Sequence, residues 1–220
     1  MRERKILVKE KIVLLGSGQH ANVVLYNIES QGLFEVACIL SPDYHKGKRE
    51  FNGIPILGGD ECREEVRKKF KINKFFLGFG DMKYRKKVFD TYINDGWESV
   101  NIIHPNAVVS KDARLGTGIL IEAGCLVTPN PIIGNNVVIN TGSQVNHDNI
   151  IKDHVYIASG VILSGGVTIM ENTLIDDGVI VTLGVKVPHD SIIGAGAVVT
   201  KNFILPGKYV GIPAKLLQGA

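Results

Sequence analysis

A histidine followed at once by an aspartate, His147-Asp148, is the pair in this sequence best suited to moving a proton. An imidazole titrates near neutrality, which matches general-base work. A carboxylate beside it favours the proton-accepting state and fixes which ring nitrogen carries the proton. An exposed histidine alone is often only a surface residue, and Asp148 is what raises this one above that reading. The other histidines have weaker claims: His45 and His189 read as loop residues, His154 as a turn residue, and His104 precedes a proline. His20 differs, because it lies in the glycine turn Gly16-Ser17-Gly18-Gln19-His20-Ala21. That turn follows the apolar run Lys11 to Leu15 and opens a helical pattern over Asn22 to Ser30, which ends at Gly32. Backbone N–H groups at such a helix start can cradle a phosphate. The G-x-G-x-x-A pattern is compatible with NAD, with a mononucleotide-linked ligand or with a purely structural turn. The acid that would hold an NAD ribose is displaced past Ser41-Pro42 to Asp43, and four short strands make half a dinucleotide domain. Both points favour the mononucleotide-linked ligand.

The element that positions His147 is a six-residue period. From Ile103 to Leu205 every sixth residue is Ile, Leu or Val, eighteen positions in a row without an insertion. Six matches neither the 3.6-residue helix nor a strand of period two. It matches a chain that turns a corner every six residues and aims one aliphatic side chain per segment at a central axis. The residue two before each aliphatic is mostly small or β-branched, and Gly and Asn cluster between segments, supplying positive-φ turns. A large antiparallel sandwich is the alternative, but hairpins rarely hold one period for so long. His147 follows the aliphatic Val145 by two and should point away from the axis. A further aliphatic row (Leu120, Leu126, Ile132, Val138, Ile150, Ile180, Ile192 among its members) either makes an apolar outer face or fills the interior beside the eighteen.

Ahead of the period, residues 1 to 10 read as a polar leader. Strands are expected over Phe34 to Leu40, Lys74 to Phe79 and Ser99 to Ile103, with helices over Asp60 to Phe70 and Met82 to Asn94. Residues 44 to 58 read as a loop holding Gly53-Ile54-Pro55-Ile56. The alternation argues for a small parallel α/β sheet of Rossmann-like type. It divides the chain into residues 1–103 and 104–220. Across the 220 residues, 45% are hydrophobic and 21% charged, and the net charge of +3 is spread out, so nucleic-acid binding is not expected. Cys38, Cys62 and Cys125 are too few and scattered for a disulfide framework or a thiolate zinc site, and suit a reducing cytoplasm. No three histidines have a spacing that suits zinc across adjacent coils. The charged N-terminus lacks a signal-peptide core, and no eighteen apolar residues run together, so a cytoplasmic protein with no membrane partner is expected.

The period, the glycine turn with His20, the segment INTGSQVNHD ending at Asp148, and the closing Pro206-Gly207 and Gly211-Ile212-Pro213-Ala214-Lys215 together resemble one family. It is the hexapeptide-repeat acyltransferase branch that N-acetylates nucleotide-linked 4-amino-4,6-dideoxy sugars for surface glycans, a branch shared with sialic-acid O-acetyltransferases. The resemblance covers nearly the whole chain from Lys11. It implies an α/β Rossmann-like N-terminal domain followed by a left-handed parallel β-helix, working as a homotrimer with acetyl-CoA as co-substrate and no metal. It implies His147 as the general base, Asp148 as the group that raises its basicity, and Asn140 as the residue placing the sugar or the reacting carbonyl. The nucleotide end would rest on Gly18, Gln19 and His20, with Asp43 and Gly80 near base and ribose. Acetyl-CoA would lie near Tyr156, Asp177 and Ala195 and under the loop carrying Pro213 and Lys215. Tyr156 stands where some members carry a histidine. Sugar O-acetylation is the alternative reaction, and a non-catalytic β-helix binding protein the alternative from another class.

Overall fold

Residues 8–217 are described by the structure, a computed structural model, so most of the expected polar leader lies outside the described residues. The chain separates into two compact units. One takes residues up to Asp81 together with Val88–Val100, and the other takes Met82–Lys87 together with Asn101 onward.

The first unit opens with strand β1 (Glu10–Leu15), whose Ile12, Val13 and Leu14 are fully buried, as a central parallel strand requires. Helix α1 (Gln19–Gln31) begins three residues earlier than the apolar pattern suggested, directly after the extended Gly18. It ends at Gly32, whose left-handed φ of 73° lets its N–H reach the Ile28 carbonyl. Strand β2 (Phe34–Leu40) pairs in parallel with β1.

The loop expected over residues 44 to 58 is corrected. A 3₁₀ turn over Pro42–Lys46 leads into a hairpin of β3 (Glu50–Phe51) and β4 (Ile54–Gly58). Its turn is Asn52-Gly53, with φ of 51° and 75°. Two successive left-handed residues are what a two-residue hairpin demands, and Asn-Gly supplies them. Helix α2 (Arg63–Phe70) is shorter than expected because Asp60–Cys62 form a separate 3₁₀ turn. Strand β5 (Lys74–Leu77) stops two residues early, helix α3 covers Met82–Asn94, and the last strand expected here is only β6 (Glu98–Ser99). Among the described residues the sheet order is β3-β4-β2-β1-β5-β6, six strands rather than four, all parallel except the β3–β4 hairpin. Val13, Leu15, Phe75, Tyr92 and Trp97 anchor the core of this unit.

The second unit is a parallel β-helix of the left-handed hexapeptide type. Two-residue strands recur every six residues from Ile102–Ile103 to Val198–Val199, and each as far as Ile180–Val181 pairs in parallel with the strand eighteen residues on. Three hexapeptides therefore close one triangular coil, and the strands stack into three sheets. The periodic aliphatics from Ile121 to Val199 are buried to within 1% and form one continuous core. The second row also points inward: Ile119, Cys125, Val137, Val155, Val161, Val167 and Val179 are buried, as are the polar Ser143, Asn149 and Thr173. The buried polar members are satisfied, since Asn149 accepts from the Val167 N–H at 2.6 Å and donates to the Asn146 carbonyl at 2.8 Å. The third row points outward instead of filling the interior, with Leu126, Ile132, Ile180 and Ile192 each more than a third exposed, although Leu120 and Val138 are covered.

The last member of the eighteen departs from the rule. Leu205 is 64% exposed, because the chain leaves the coil after Val199. It returns so that Gly207 accepts from the Ile192 N–H at 2.9 Å, Lys208–Val210 adds to the row of Ile192–Ile193, and Lys215–Leu216 folds back antiparallel on it.

Candidate active site

His147 stands on the corner after strand Gln144–Val145, with its side chain exposed, as the period predicted. Its Nδ1 lies 2.9 Å from Oδ2 of Asp148. Asp148 takes a left-handed φ of 57°, which turns its carboxylate back along the corner onto the ring. The hydrogen bond from His147, followed by one from the Asn130 side chain, holds the Asp148 carboxyl below the usual carboxylate range. An ionised acceptor at Nδ1 fixes the proton there and leaves Nε2 as the basic nitrogen.

The other side of the ring rests on the next coil. Gly165, eighteen residues on, lies so close that a Cβ on it would come within 2.3 Å of Nε2 and 2.4 Å of Cε1. Its φ is not left-handed, so glycine is required here by the imidazole's approach and not by the backbone. No sequence reasoning singled out Gly165, although an offset of one coil from His147 would have pointed to it.

Asn140 occupies the preceding corner. Its Nδ2 donates to the Tyr156 hydroxyl at 3.1 Å, and its Oδ1 is buried without a protein partner among the described residues. Burial pushes the Tyr156 phenol up, and the bond from Asn140 pulls it back down. Two flanking groups escaped the sequence. The Glu122 carboxylate, 5% exposed, accepts from the Thr141 N–H at 3.0 Å and from its hydroxyl at 2.5 Å, fixing the corner that carries Asn140. Arg85 is 2% exposed and donates from Nη2 to Asn136 Oδ1 at 2.9 Å, and burial lowers its guanidinium pKa to about 10. The structure thus joins His147 to Asp148 and Asn140 to Tyr156, on two successive corners.

The residues expected to meet acetyl-CoA spread further along the β-helix. Asp177 accepts from the Ser159 N–H at 3.0 Å, Ala195 is an exposed corner residue, and exposed Pro213 and Lys215 lie on the closing segment. That segment is held to the last coil, where the buried Ala214 donates its N–H to the Val198 carbonyl at 2.8 Å.

In the first unit, Gly18 caps α1, and Gln19 and His20 form the helix's first turn. Beside them Ser17 Oγ lies 3.0 Å from Ser41 Oγ and donates to Asp43 Oδ2 at 2.9 Å, while Lys48 Nζ donates to the Ser17 carbonyl at 2.7 Å. Ser17 first, then Lys46, holds the Asp43 carboxyl low. These bonds bring the glycine turn and the segment after β2 together, at the carboxyl ends of parallel strands where such sheets take ligands. Gly80 follows β5 and is half-buried. Ser17, Ser41 and Lys48 are the members the sequence did not reveal. Among the described residues no cluster of three His, Cys, Asp or Glu side chains is close enough to hold a metal ion, and no helix is long and apolar enough to cross a membrane.

Residues 11–92 match the family described as the PglD N-terminal domain. A curated relative, UDP-N-acetylbacillosamine N-acetyltransferase of Bacillus subtilis (strain 168), is 28% identical over 117 residues, and the match spans about half of each chain, 52%. Among solved structures, GDP-perosamine N-acetyltransferase from Caulobacter crescentus, in a histidine-to-alanine variant with CoA and GDP-perosamine, is 32% identical. The superposition covers 96% of this chain and 98% of that one, with a TM-score of 0.90. The acetyltransferase domain of PglB from Neisseria gonorrhoeae FA1090, in complex with acetyl coenzyme A, is 26% identical over 95% of this chain and 100% of that one, with a TM-score of 0.86.

Proposed function

This chain belongs to the hexapeptide-repeat acetyltransferases of nucleotide-linked amino sugars, and from that membership we propose that it moves the acetyl group of acetyl-CoA onto the C4 amine of a nucleotide-linked 4-amino-4,6-dideoxy sugar. The observation that carries the reading is the His147 imidazole, with Nδ1 bonded to Asp148 and Nε2 left as a base. In the proposed reaction Nε2 takes a proton from the sugar amine as the nitrogen attacks the thioester carbonyl. The tetrahedral intermediate expels the CoA thiolate, which is protonated, and an amide bond replaces the thioester. Amine and thioester held together need no covalent acyl-enzyme. Asn140 would place the sugar or the reacting carbonyl. Tyr156, Asp177, Ala195, Pro213 and Lys215 would receive acetyl-CoA, and Gly18, Gln19, His20, Asp43 and Gly80 the nucleotide.

The relatives' names support nitrogen as the acceptor over a sugar hydroxyl, since both named reactions are N-acetylations. Those names carry UDP and GDP respectively, so the nucleotide is a matter for experiment. A homotrimer in the cytoplasm completes the proposal.

The test is a thiol-release assay with acetyl-CoA against UDP-, GDP- and dTDP-linked 4-amino-4,6-dideoxy sugars and sialic acid. Turnover of one 4-amino sugar is expected, with His147→Ala slower by roughly 10²–10⁴. Turnover of sialic acid alone would move the reaction to oxygen, and unchanged turnover in His147→Ala would remove the assigned base.

A further inference from the structure

Glu122 stands one coil below Asn140 and, among the described residues, is the only aspartate or glutamate that is buried, at 5% exposure. A buried carboxylate is costly unless its oxygens find donors. Glu122 finds them on the corner that carries Asn140: the Thr141 N–H at 3.0 Å and the Thr141 hydroxyl at 2.5 Å, both onto Oε2. Elsewhere on the β-helix such caps run the other way. The N–H groups of Thr117, Asn135 and Ser159 are received by residues eighteen positions later, Asn135, Asp153 and Asp177 respectively. At Thr141 the acceptor comes from nineteen positions earlier, while the small Ala158 and Ser159 follow one coil on.

The result is a fixed frame around Asn140. A peptide group is planar, so holding its N–H and its carbonyl sets the direction of the side chain beside it. The peptide joining Asn140 to Thr141 is held at both ends. Its N–H is taken by Glu122, and its carbonyl accepts from the Cys125 thiol at 3.1 Å and the Ser143 N–H at 3.3 Å. The peptide before it is held as well, with the Asn140 N–H on the Ile157 carbonyl at 2.9 Å. From this frame the side chain turns Nδ2 onto the Tyr156 hydroxyl at 3.1 Å and leaves Oδ1 buried, without a partner among the described residues. A buried acceptor left unmet is destabilising. The donor end of the amide is already turned to the phenol, so the end open to a ligand is an oxygen. An oxygen there matches an N–H, and the thioester carbonyl has none to give.

Resting on the acetyltransferase reading above, we propose that Glu122 is a positioning residue for the reaction, which pins the Thr141 corner so that Asn140 presents Oδ1 to a substrate N–H. Two substrate groups have that chemistry, the amine of the acceptor sugar and the amide N–H groups in the arm of acetyl-CoA.

The experiment compares wild type with Glu122→Ala, which removes both bonds, and with Glu122→Gln, whose side-chain oxygen still accepts from Thr141. Asp153→Ala is the control, since it deletes the cap on Asn135, a corner outside the assigned site. Glu122→Ala is expected to lower kcat/KM by between about tenfold and a hundredfold, Glu122→Gln to restore most of it, and Asp153→Ala to leave it alone. A rise in KM for the amino sugar assigns the N–H to the amine, and a rise in KM for acetyl-CoA assigns it to the amide. Thr141→Val, which deletes only the hydroxyl, is expected to give a smaller loss in the same direction and serves if Glu122→Ala fails to fold. Asn140→Asp keeps the acceptor and is expected to retain at least about tenfold more turnover than Asn140→Ala. Equal losses in those two would show that the donor end is the one in use and would overturn the assignment of Oδ1. Without any substrate, the ¹⁵N–¹H signals of the Asn140 side chain, identified by their absence in Asn140→Asp, are expected to move in Glu122→Ala and to stay in Asp153→Ala. Unmoved signals together with wild-type kcat/KM in Glu122→Ala would overturn the proposal and leave Glu122 an ordinary corner cap. Should the wild-type chain turn over no amino sugar, the side-chain signals still decide whether Glu122 sets Asn140, separately from the reaction assigned to the site.

Discussion

Gly165 carries the sharpest prediction at the level of single residues. Because its backbone is one any residue adopts, Gly165→Ala should leave thermal stability nearly unchanged while its methyl drives the His147 ring off its seat. A displacement of about 1 Å at a reacting group costs on the order of 10²-fold in rate. Steady-state kinetics beside a melting curve separate the two effects, and a variant of wild-type kcat would show that the ring does not need that seat. A pH prediction follows from Asp148. Its carboxyl is held low, chiefly by the bond from His147, so its contribution is present throughout the neutral range and is lost only as the pH falls through that depressed value. Asp148→Asn should therefore lower kcat/KM at every pH of the neutral and mildly acidic range, a loss read by comparing its pH profile with that of wild type. A difference between the two profiles that disappears within the mildly acidic range would mean that the carboxyl is not held low. The pair itself was legible in the sequence because its members are adjacent. Gly165 and Glu122 were not, because their partners lie a coil away. The sequence displays the period of six, while the repeat that makes neighbours is eighteen, which only the triangular closure establishes.

At the level of elements, the period specified the β-helix because one aliphatic residue per hexapeptide has nowhere to go except the axis. The same logic misplaced its last member, since a periodic aliphatic still needs a coil around it and the chain has left the coil by Leu205. The two fates give a paired prediction. Ile157→Ala removes a side chain buried to 0% in the stacked core and should cost about 2–5 kcal/mol in denaturant unfolding. Leu205→Ala, 64% exposed, should change stability by no more than about 0.5 kcal/mol. Equal losses at the two positions would mean that Leu205 is packed after all. The α/β unit was less legible, for a different reason. Its two extra strands are only two and five residues long, and the longer, Ile54-Pro55-Ile56-Leu57-Gly58, does not alternate apolar with polar, so periodicity was silent and the local signal was the Asn52-Gly53 dipeptide that forces the hairpin. The Ser17–Asp43 contact joins residues twenty-six apart through parallel-strand register, which a sequence pattern does not display.

For the whole molecule the open quantity is the number of chains in solution, and the outward aliphatic row bears on it. Leu126, Ile132, Ile180 and Ile192 alternate with the buried residues of their strands, are 37–40% exposed, and are spread over all three sheets, with Leu126 and Ile180 on the same one. Solvated sheet faces normally carry polar side chains at such positions, and burying apolar surface in an interface contributes about 25 cal/mol per Å² before the costs of association. Flat parallel faces of this kind suit a closed ring, in which each copy presents the same surfaces to its neighbours. Light scattering on the purified chain is expected to give about 72 kDa, three times the 23.9 kDa of one chain. Ile132→Asp and Ile180→Asp, which place a charge in the middle of these faces without touching the core, should shift the mass toward 23.9 kDa with the far-ultraviolet circular dichroism unchanged. If the copies also complete one another's sites, those variants lose turnover in proportion to the lost trimer, and turnover in wild type falls on dilution. A wild-type mass of one chain, with full turnover, would instead assign the whole reaction to a single β-helix and leave the exposed row without a partner.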